Sequence, residues 1–263
     1  MHIAVCIKQV PDAKNVRIDP DTHTLVRQGV DSIVNPFDLF AVEAALKIKD
    51  TLGARVTVLT MGPPQADEAL RETLSRGVDD AVLLSDRAFA GSDTWATSTT
   101  LAGAIRKLAD VDLILCGKQA IDGDTAQVGP ETATLLDLPY ATFVKNIEML
   151  DEHHLKVTRQ TDDGTEIWKL PMPALITVIK EVGEPRLPSL RHKMRAKKAE
   201  IPVWGVDDLG LDPSAVGLSG SYTQVVRVFS PPRRGDRIIL QGTVEEQAEQ
   251  LYRYLKETKV PGI

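Results

Sequence analysis

Apolar runs alternate with amphipathic ones from the start of the chain to about residue 139. "HIAVCIK" is a short apolar run bounded by polar residues and predicts a first strand. "VRIDPDTHTLVRQG" carries the turn signal DPDT between β-prone pieces and predicts a hairpin. "NPFDLFAVEAALKIKD" sets Phe37, Ala41, Ala44, Ala45 and Ile48 on one face at helical spacing. Asn35 suits the cap of that helix, Pro36 its first position and Asp38 its first turn. Three more strand-then-helix pairs follow. "ARVTVLTMG" leads to "PQADEALRETLSRG", closed by Gly77, and "DAVLLSD" leads to "DTWATSTTLAGAIRKLA". "VDLILCG" then leads to "TAQVGPETATLLDL". This alternation predicts an α/β fold, a mostly parallel sheet with helices on both faces and right-handed crossovers.

After Pro139 the pattern changes. "LKVTRQ" and "TEIWKL" flank "TDDG", a β-hairpin signal, and "PALITVIKE" is an apolar run able to return to the sheet. From about Glu184 the chain is rich in Pro, Lys and Arg. Only "TVEEQAEQLYRYLKE" reads there as a strong helix, with Thr243 and Glu246 at capping-box spacing. The expected organisation is a nucleotide-binding α/β body over 1–185 and an extended C-terminal arm over 186–263. An arm with little apolar periodicity needs something else to pack on.

Composition narrows the function classes. The 263 residues are 43% hydrophobic and 26% charged, as in a globular protein, and no apolar run approaches the ~20 residues of a membrane span. "MHIAVCIK" shows no secretory signal, so a cytoplasmic location is expected. A formal charge of −6 argues against a nucleic-acid partner. Cys6 and Cys116, the two cysteines, each end or nearly end an apolar run and read as buried thiols. The five histidines show no ligand spacing, so no metal is assigned.

The chemistry concentrates in "CGKQAIDGDTAQVGPETA", Cys116 to Ala133. It leaves a strand through two aspartates and enters a helix, and in open α/β sheets ligands bind beyond such strand ends. Gly123 permits a positive φ, and Asp124 or Thr125 can cap the helix. The N–H groups of Ala126, Gln127 and Val128 are then left free to hold a phosphate or diphosphate, aided by the helix dipole. Neither GxGxxG nor GxxxxGK[ST] is present. From residue types alone, an ordinary strand-to-helix turn explains these residues equally well. Two carboxylates beside a diphosphate also need a role, such as holding turn amides or a ribose hydroxyl. "GSDTWATSTT", Gly91 to Thr100, opens the preceding helix with small hydroxyl residues. Two polar openings in neighbouring units suggest one extended crevice.

At this point the chain resembles the β subunit of an electron transfer flavoprotein, nearly end to end. "VNPFDLFAVEAALKIKD", "GKQAIDGDTAQVGP", "VTRQTDDGTEIWKLPMPALITV" and "EPRLPSLRHKMRAKK" stand in the family's order, with Trp168 where its signature usually has a smaller aliphatic. The resemblance implies a partner α subunit carrying an FAD. The β pocket holds AMP in ordinary members. In the bifurcating group it holds a second FAD, which takes a hydride from NADH and sends two electrons to different acceptors. "DGDTAQVGP", "DTWATS" and "GLSGSYTQV" are similar to the bifurcating group, though Tyr222 stands where Pro is more familiar. FAD is therefore expected, with AMP as the alternative.

Carried over by position, the adenosine and phosphate pocket uses Cys6, Asn35, Met61, Gly117, Asp122, Gly123, Asp124, Thr125, Ala126, Gln127, Val128 and Gly129. The flavin end uses Asp93, Thr94 and Thr97. "SLRHKMRAKK" resembles the family's recognition loop, so Leu190, flanked by Arg191, Lys193 and Arg195, is the expected docking anchor. Out of context the same charges read as a solvated basic face. The implied acceptors are a quinone reductase or acyl-CoA dehydrogenase through the α-subunit FAD, and a ferredoxin or flavodoxin. A quinone-reductase partner would make the complex peripheral at a membrane. The chemistry belongs to the flavin, so no side chain is nominated as catalytic.

Overall fold

The first strand, β1 (His2–Ile7), is covered on both faces. Ile3, Val5 and Ile7 enter one apolar core, while Ala4 and Cys6 enter the other. That is the period-2 signature of a strand central to a layered sheet. The computed structural model describes residues 1–12, 17–18, 25–26, 32–226 and 238–258. The chain forms two units, Met1–Val226 and Arg227–Ile263.

In the first unit β1 is followed by β2 (Gln9–Pro11), β3 (Arg17–Ile18), β4 (Leu25–Val26) and β5 (Ser32–Val34). The helix–strand alternation then runs α1 (Pro36–Leu52), β6 (Arg55–Met61), α2 (Asp67–Arg76), β7 (Asp80–Leu84), α3 (Thr94–Leu108), β8 (Leu113–Gly117) and α4 (Val128–Leu135). β9 (Tyr140–Met149), β10 (His154–Thr161), β11 (Gly164–Pro171) and β12 (Ala174–Val178) come next, then α5 (Leu190–Lys198) and β13 (Val203–Trp204). The main sheet has nine strands in the order β11-β10-β9-β12-β8-β1-β6-β7-β13. Its pairs from β9 to β13 are parallel, and β10 pairs antiparallel with both β9 and β11. The expected α/β sheet with a hairpin at one end is therefore present. The hairpin expected at 16–29 pairs β3 with β4, and its turn lies outside the described residues.

α1, α2 and α5 lie over the core that holds Ile3 and Val5, through residues such as Ala45, Leu70 and Ala196. α3 and α4 cover the opposite core through Leu101, Ile105 and Ala133. The first unit also takes in residues 186–226, part of the expected arm. Glu43, buried on α1, accepts hydrogen bonds from the Arg186 backbone at 3.0 Å and from its guanidinium at 2.9 and 3.0 Å. Val206 and Val216 join the second core, and β13 pairs with β7.

Two local expectations are corrected, and one strand is added. Asn35 does not cap α1 with its side chain, which is occupied elsewhere. The basic stretch expected as a loop is the helix α5, capped by the Ser189 hydroxyl, which accepts from the His192 N–H at 3.2 Å. Its Leu, Met, Lys, Arg and Ala residues are all good helix formers. β9 was not read from the sequence, because a bulge breaks its alternation. Its register against β12 shifts between Ile176 and Val178, and Phe143 takes a φ of 56° there.

In the second unit, α6 (Val244–Glu257) has the expected capping box. The Thr243 hydroxyl accepts from the Glu246 N–H at 3.3 Å, and the Glu246 carboxylate accepts from the Thr243 N–H at 2.8 Å. Its apolar residues Val244, Leu251, Tyr252 and Tyr254 are exposed.

Candidate functional site

A cavity of about 350 Å³ opens beyond the carboxyl ends of β1, β6 and β8. It lies at the small end of the ~300–1,000 Å³ typical of small-molecule sites. Cys6 and Met61 line it from the strand ends, and Gly117 from the start of the loop that follows β8. Gly123, Thr125, Ala126, Gln127, Val128 and Gly129 form one wall, and Asp93, Thr94 and Thr97 at the head of α3 form another. Twelve of the fifteen expected ligand-pocket residues thus share one cleft; Asn35, Asp122 and Asp124 stand behind it.

Those three hold the loop. The Asn35 amide donates to the Gln119 carbonyl at 2.8 Å and accepts from the Ile121 N–H at 3.2 Å. Asn35 is fully buried, so the loop is pinned from beneath by an interior side chain. Asp122 takes the Lys8 ammonium at 2.8 Å to each oxygen. Asp124 accepts from the Gln119 side chain. Neither of these two turn carboxylates lines the cleft; the carboxylates that do are Asp38 and Asp93.

The geometry of the turn from Asp122 to Gly129 differs from the expectation. Gly123 has no positive φ; Asp124 (55°) and Ala126 (56°) take the left-handed conformation instead. α4 begins at Val128, after Gln127, and neither Asp124 nor Thr125 caps it. Short polar Asp tolerates that conformation better than most residues. Ala126 in the left-handed region followed by Gln127 in the right-handed one makes a concave nest of amides. The N–H groups from Thr125 to Gly129 find no acceptor among the described residues. Pro130, next in line, has no N–H to offer. The free amides therefore include the predicted trio and extend one residue beyond it on each side, and they meet the positive end of the α4 dipole.

Two glycines make room for this arrangement. A Cβ on Gly117 would lie 2.5 Å from the Asp38 Oδ1 and 2.6 Å from the Phe37 carbonyl carbon. A Cβ on Gly129 would lie 2.5 Å from the Thr177 Cγ2, so the α4 start could not sit against β12. Asp38 ties the strand ends together, accepting from the Lys8 N–H at 2.7 Å and the Gly117 N–H at 3.1 Å. Burial pushes its carboxyl up to about 7, against the pull of those amides. Cys6 and Cys116 face each other across β1 and β8. The hydrogen bond with the Cys6 thiol, then burial, pushes the Cys116 thiol up, so it stays protonated and unreactive.

The second wall is braced from the arm. Asp93 caps α3 by accepting from the Ala96 N–H at 3.0 Å. Its other oxygen accepts from the Thr223 N–H at 2.9 Å and the Thr223 hydroxyl at 3.1 Å. Burial works against the Asp93 charge, yet these donors hold its carboxyl below the usual range. Tyr222 packs on Trp95 with ring centroids 5.8 Å apart. Glu131 accepts from the Thr94 and Ser98 hydroxyls, each at 3.1 Å, and so joins α4 to α3. Sequence reading missed Lys8, Asp38, Lys118 and Glu131. The buried acid in "NPFD" and the lysine directly after the glycine of "LILCGK" were the available signals.

Of the expected docking residues, Leu190 is 77% exposed at the first turn of α5, and Met194 is exposed one turn on. Arg191 and Lys193 are also exposed. The Arg195 guanidinium instead donates to the Val78 carbonyl, which anchors the helix to the body.

Among the described residues, no helix is long and apolar enough to cross a membrane, and no cluster of potential metal ligands occurs. The family pattern described as "Electron transfer flavoprotein domain" matches residues 22–209. The chain belongs to the beta-subunit branch of the electron transfer flavoprotein family. It is similar to the caffeyl-CoA reductase–Etf complex subunit CarD of Acetobacterium woodii, at 52% identity over 262 residues, spanning 99% of this chain and 100% of that protein. It is 47% identical over 257 residues to the electron transfer flavoprotein subunit beta of Megasphaera elsdenii, covering 95% and 94% of the two chains. Protein FixA of Bradyrhizobium diazoefficiens is 46% identical over 258 residues, covering 95% of this chain and 90% of its own.

Proposed function

We propose that this chain is the β subunit of a heterodimeric, electron-bifurcating flavoprotein and holds FAD in the cleft between α3 and α4. The observation that carries this reading is the continuity of the cleft. The free amides from Thr125 to Gly129 face a cavity whose opposite wall is the hydroxyl-lined head of α3, fixed by Thr223 through Asp93. A mononucleotide needs only the first wall; the second suits a planar ring with polar edges. The similarity to a subunit of a caffeyl-CoA reductase–Etf complex supports a place in a flavoprotein complex that works with a reductase.

The residues fit the group. The nest and the α4 N-terminus would take the diphosphate, Gly117 and Gly129 would allow close backbone approach, and Asp93, Thr94 and Thr97 would face the ring. When bound, FAD supplies hydride acceptance from NADH and delivery of single electrons to two acceptors. These are an α-subunit FAD, serving a quinone reductase or acyl-CoA dehydrogenase, and a ferredoxin or flavodoxin. The protein residues orient and shield. Asp38 and Asn35 hold the strand ends and loop in register, and the buried, protonated Cys116 thiol offers no competing nucleophile. The exposed apolar residues of α6 support docking of the arm on an α subunit, and Leu190 with Arg191 and Lys193 supports docking of a redox partner.

The modest cavity volume, about 350 Å³, favours a second reading. AMP would fill it without help from a partner chain, and the subunit would then be structural, with electrons passing through the α-subunit FAD alone. Acid release of ligands from the purified α/β complex separates the two. Two FAD per heterodimer are expected; one FAD with one AMP would replace the first reading by the second.

A further inference from the structure

We infer that Asp38 is the charge-compensating group of the cleft: it takes a proton from solvent when a phosphate-bearing nucleotide binds, and returns it on release. This rests on the reading of the cleft as a nucleotide site and holds for FAD and AMP alike. Asp38 lines the cleft from the first turn of α1 and is only 6% exposed. The free amides from Thr125 to Gly129 face the same cavity, so an anion held by them lies within one cavity width of this carboxylate. Two negative charges that close, with little water between them, repel strongly. Protonation of the carboxylate removes the repulsion.

The surroundings of Asp38 supply neutral donors and no ion pair. Its Oδ2 accepts from the Lys8 N–H at 2.7 Å and its Oδ1 from the Gly117 N–H at 3.1 Å. The Lys8 ammonium is spent on Asp122, at 2.8 Å to each oxygen. The Lys118 ammonium lies over the Phe37 ring at 4.9 Å and the Phe143 ring at 5.8 Å. On β1 and β8 the titratable neighbours in the cleft are the Cys6 and Cys116 thiols. Burial pushes the Asp38 carboxyl up to about 7, while the Lys8, Asn35 and Gly117 donors pull it down. It stands at the edge of ionisation near neutral pH, and a phosphate added to the cleft tips it to the neutral form. Oδ1, with the longer amide bond, takes the proton, and Oδ2 keeps the Lys8 amide.

Asp93, the other carboxylate lining the cleft, answers differently. Burial opposes its charge, yet the Ala96 N–H at 3.0 Å, with the Thr223 N–H and hydroxyl at 2.9 and 3.1 Å, holds its carboxyl below the usual range. It stays ionised at neutral pH. Glu131 on α4 is occupied by the Thr94 and Ser98 hydroxyls, each at 3.1 Å, and does not line the cleft. Asp38 is thus the carboxylate placed to give up its charge. The sign of the linkage follows. A group whose affinity for protons rises on binding favours the complex at low pH, so nucleotide affinity falls as pH rises above about 7.

The test is calorimetric. FAD is titrated into the α/β complex depleted of its β-site nucleotide, with the α-site FAD retained, in buffers of differing ionisation enthalpy. The FAD diphosphate is fully ionised near neutral pH, so any proton taken up goes to the protein. Should acid release yield AMP, AMP is the titrant, at a pH well above about 6 where its phosphate is fully ionised. Uptake of about half a proton or more per nucleotide is expected at about pH 7.5, with Kd rising about fivefold or more from pH 7 to pH 8.5. Asp38→Asn should abolish the uptake and flatten that pH dependence. A second readout needs no variant. With its nucleotide in place at pH 8, the wild-type complex should show an infrared stretch of a protonated carboxyl that shifts on isotope labelling of aspartate. Nucleotide binding without proton uptake, uptake unchanged in Asp38→Asn, or absence of that infrared band overturns the inference and leaves the nucleotide site standing. Acid release that yields no β-site nucleotide removes both.

Discussion

At the scale of single residues, glycine types carried the correct message at one position and the wrong one at another. Gly117 is needed because Asp38 and Phe37 occupy the space of its side chain. Gly117→Ala is expected to lose the β-site nucleotide and about 2 kcal/mol of stability, read by ligand count and thermal melting. Gly123 permits the positive φ expected of the turn, yet its φ is ordinary and nothing lies within 4 Å of a Cβ there. Gly123→Ala should leave both readouts unchanged. The turn instead spends its left-handed residues on Asp124 and Ala126, which composition does not mark. Asp38 has a pH signature. Its carboxyl stands at about 7 in the fold against a usual 3.8, so the unfolded chain releases the proton first. The stability it contributes is fully present below about pH 4 and is lost as pH rises through about 7. Compared with Asp38→Asn, the wild type should lose relative stability from pH 4 to pH 7, measured by urea midpoints.

At the scale of elements, the helices and central strands were legible because their apolar spacing survives packing. Phe37, Ala41, Ala44, Ala45 and Ile48 do mark the inner side of α1, four of them buried. The failures fall where a polar group serves another element. Asn35 looks like a cap and instead holds the loop after β8, a contact 84 residues away in sequence that no local window contains. β9 was missed because its bulge separates the buried Ala141 and Val144 by three positions. Asp93 was read as a polar opening and is both the cap of α3 and the clasp for residues near Thr223. Asp93→Ala should cost about 1 kcal/mol as a lost cap. It should also speed hydrogen exchange at 218–223 more than elsewhere, while unchanged exchange there would sever the clasp from the arm.

At the scale of the whole molecule, the candidate cleft was legible as a place but incompletely as a set of contacts. The alternation of strands and helices predicts a cleft at the strand ends. It does not reveal that residues 186–226 complete the same unit, since Arg186, Val206 and Thr223 contact elements far back in the chain. The docking proposal belongs at this scale too. Leu190→Ala should slow electron delivery to an acyl-CoA dehydrogenase or quinone reductase acceptor severalfold in stopped-flow assays, with NADH bleaching of flavin absorbance unchanged. Equal slowing of both steps would remove Leu190 from docking. Arg195→Ala should behave differently and lower thermal stability, because its guanidinium is bound to Val78.

The placement of β13 beside β7 has a consequence for biosynthesis. Ribosomes deliver the amino end first, so the strand that seals this edge emerges after every other strand of the sheet. A nascent chain arrested at residue 185 would carry all four helices of the cleft region with β7 unpaired on one side and Asp93 without Thr223. Maturation of the pocket is thereby timed to the late arrival of the arm.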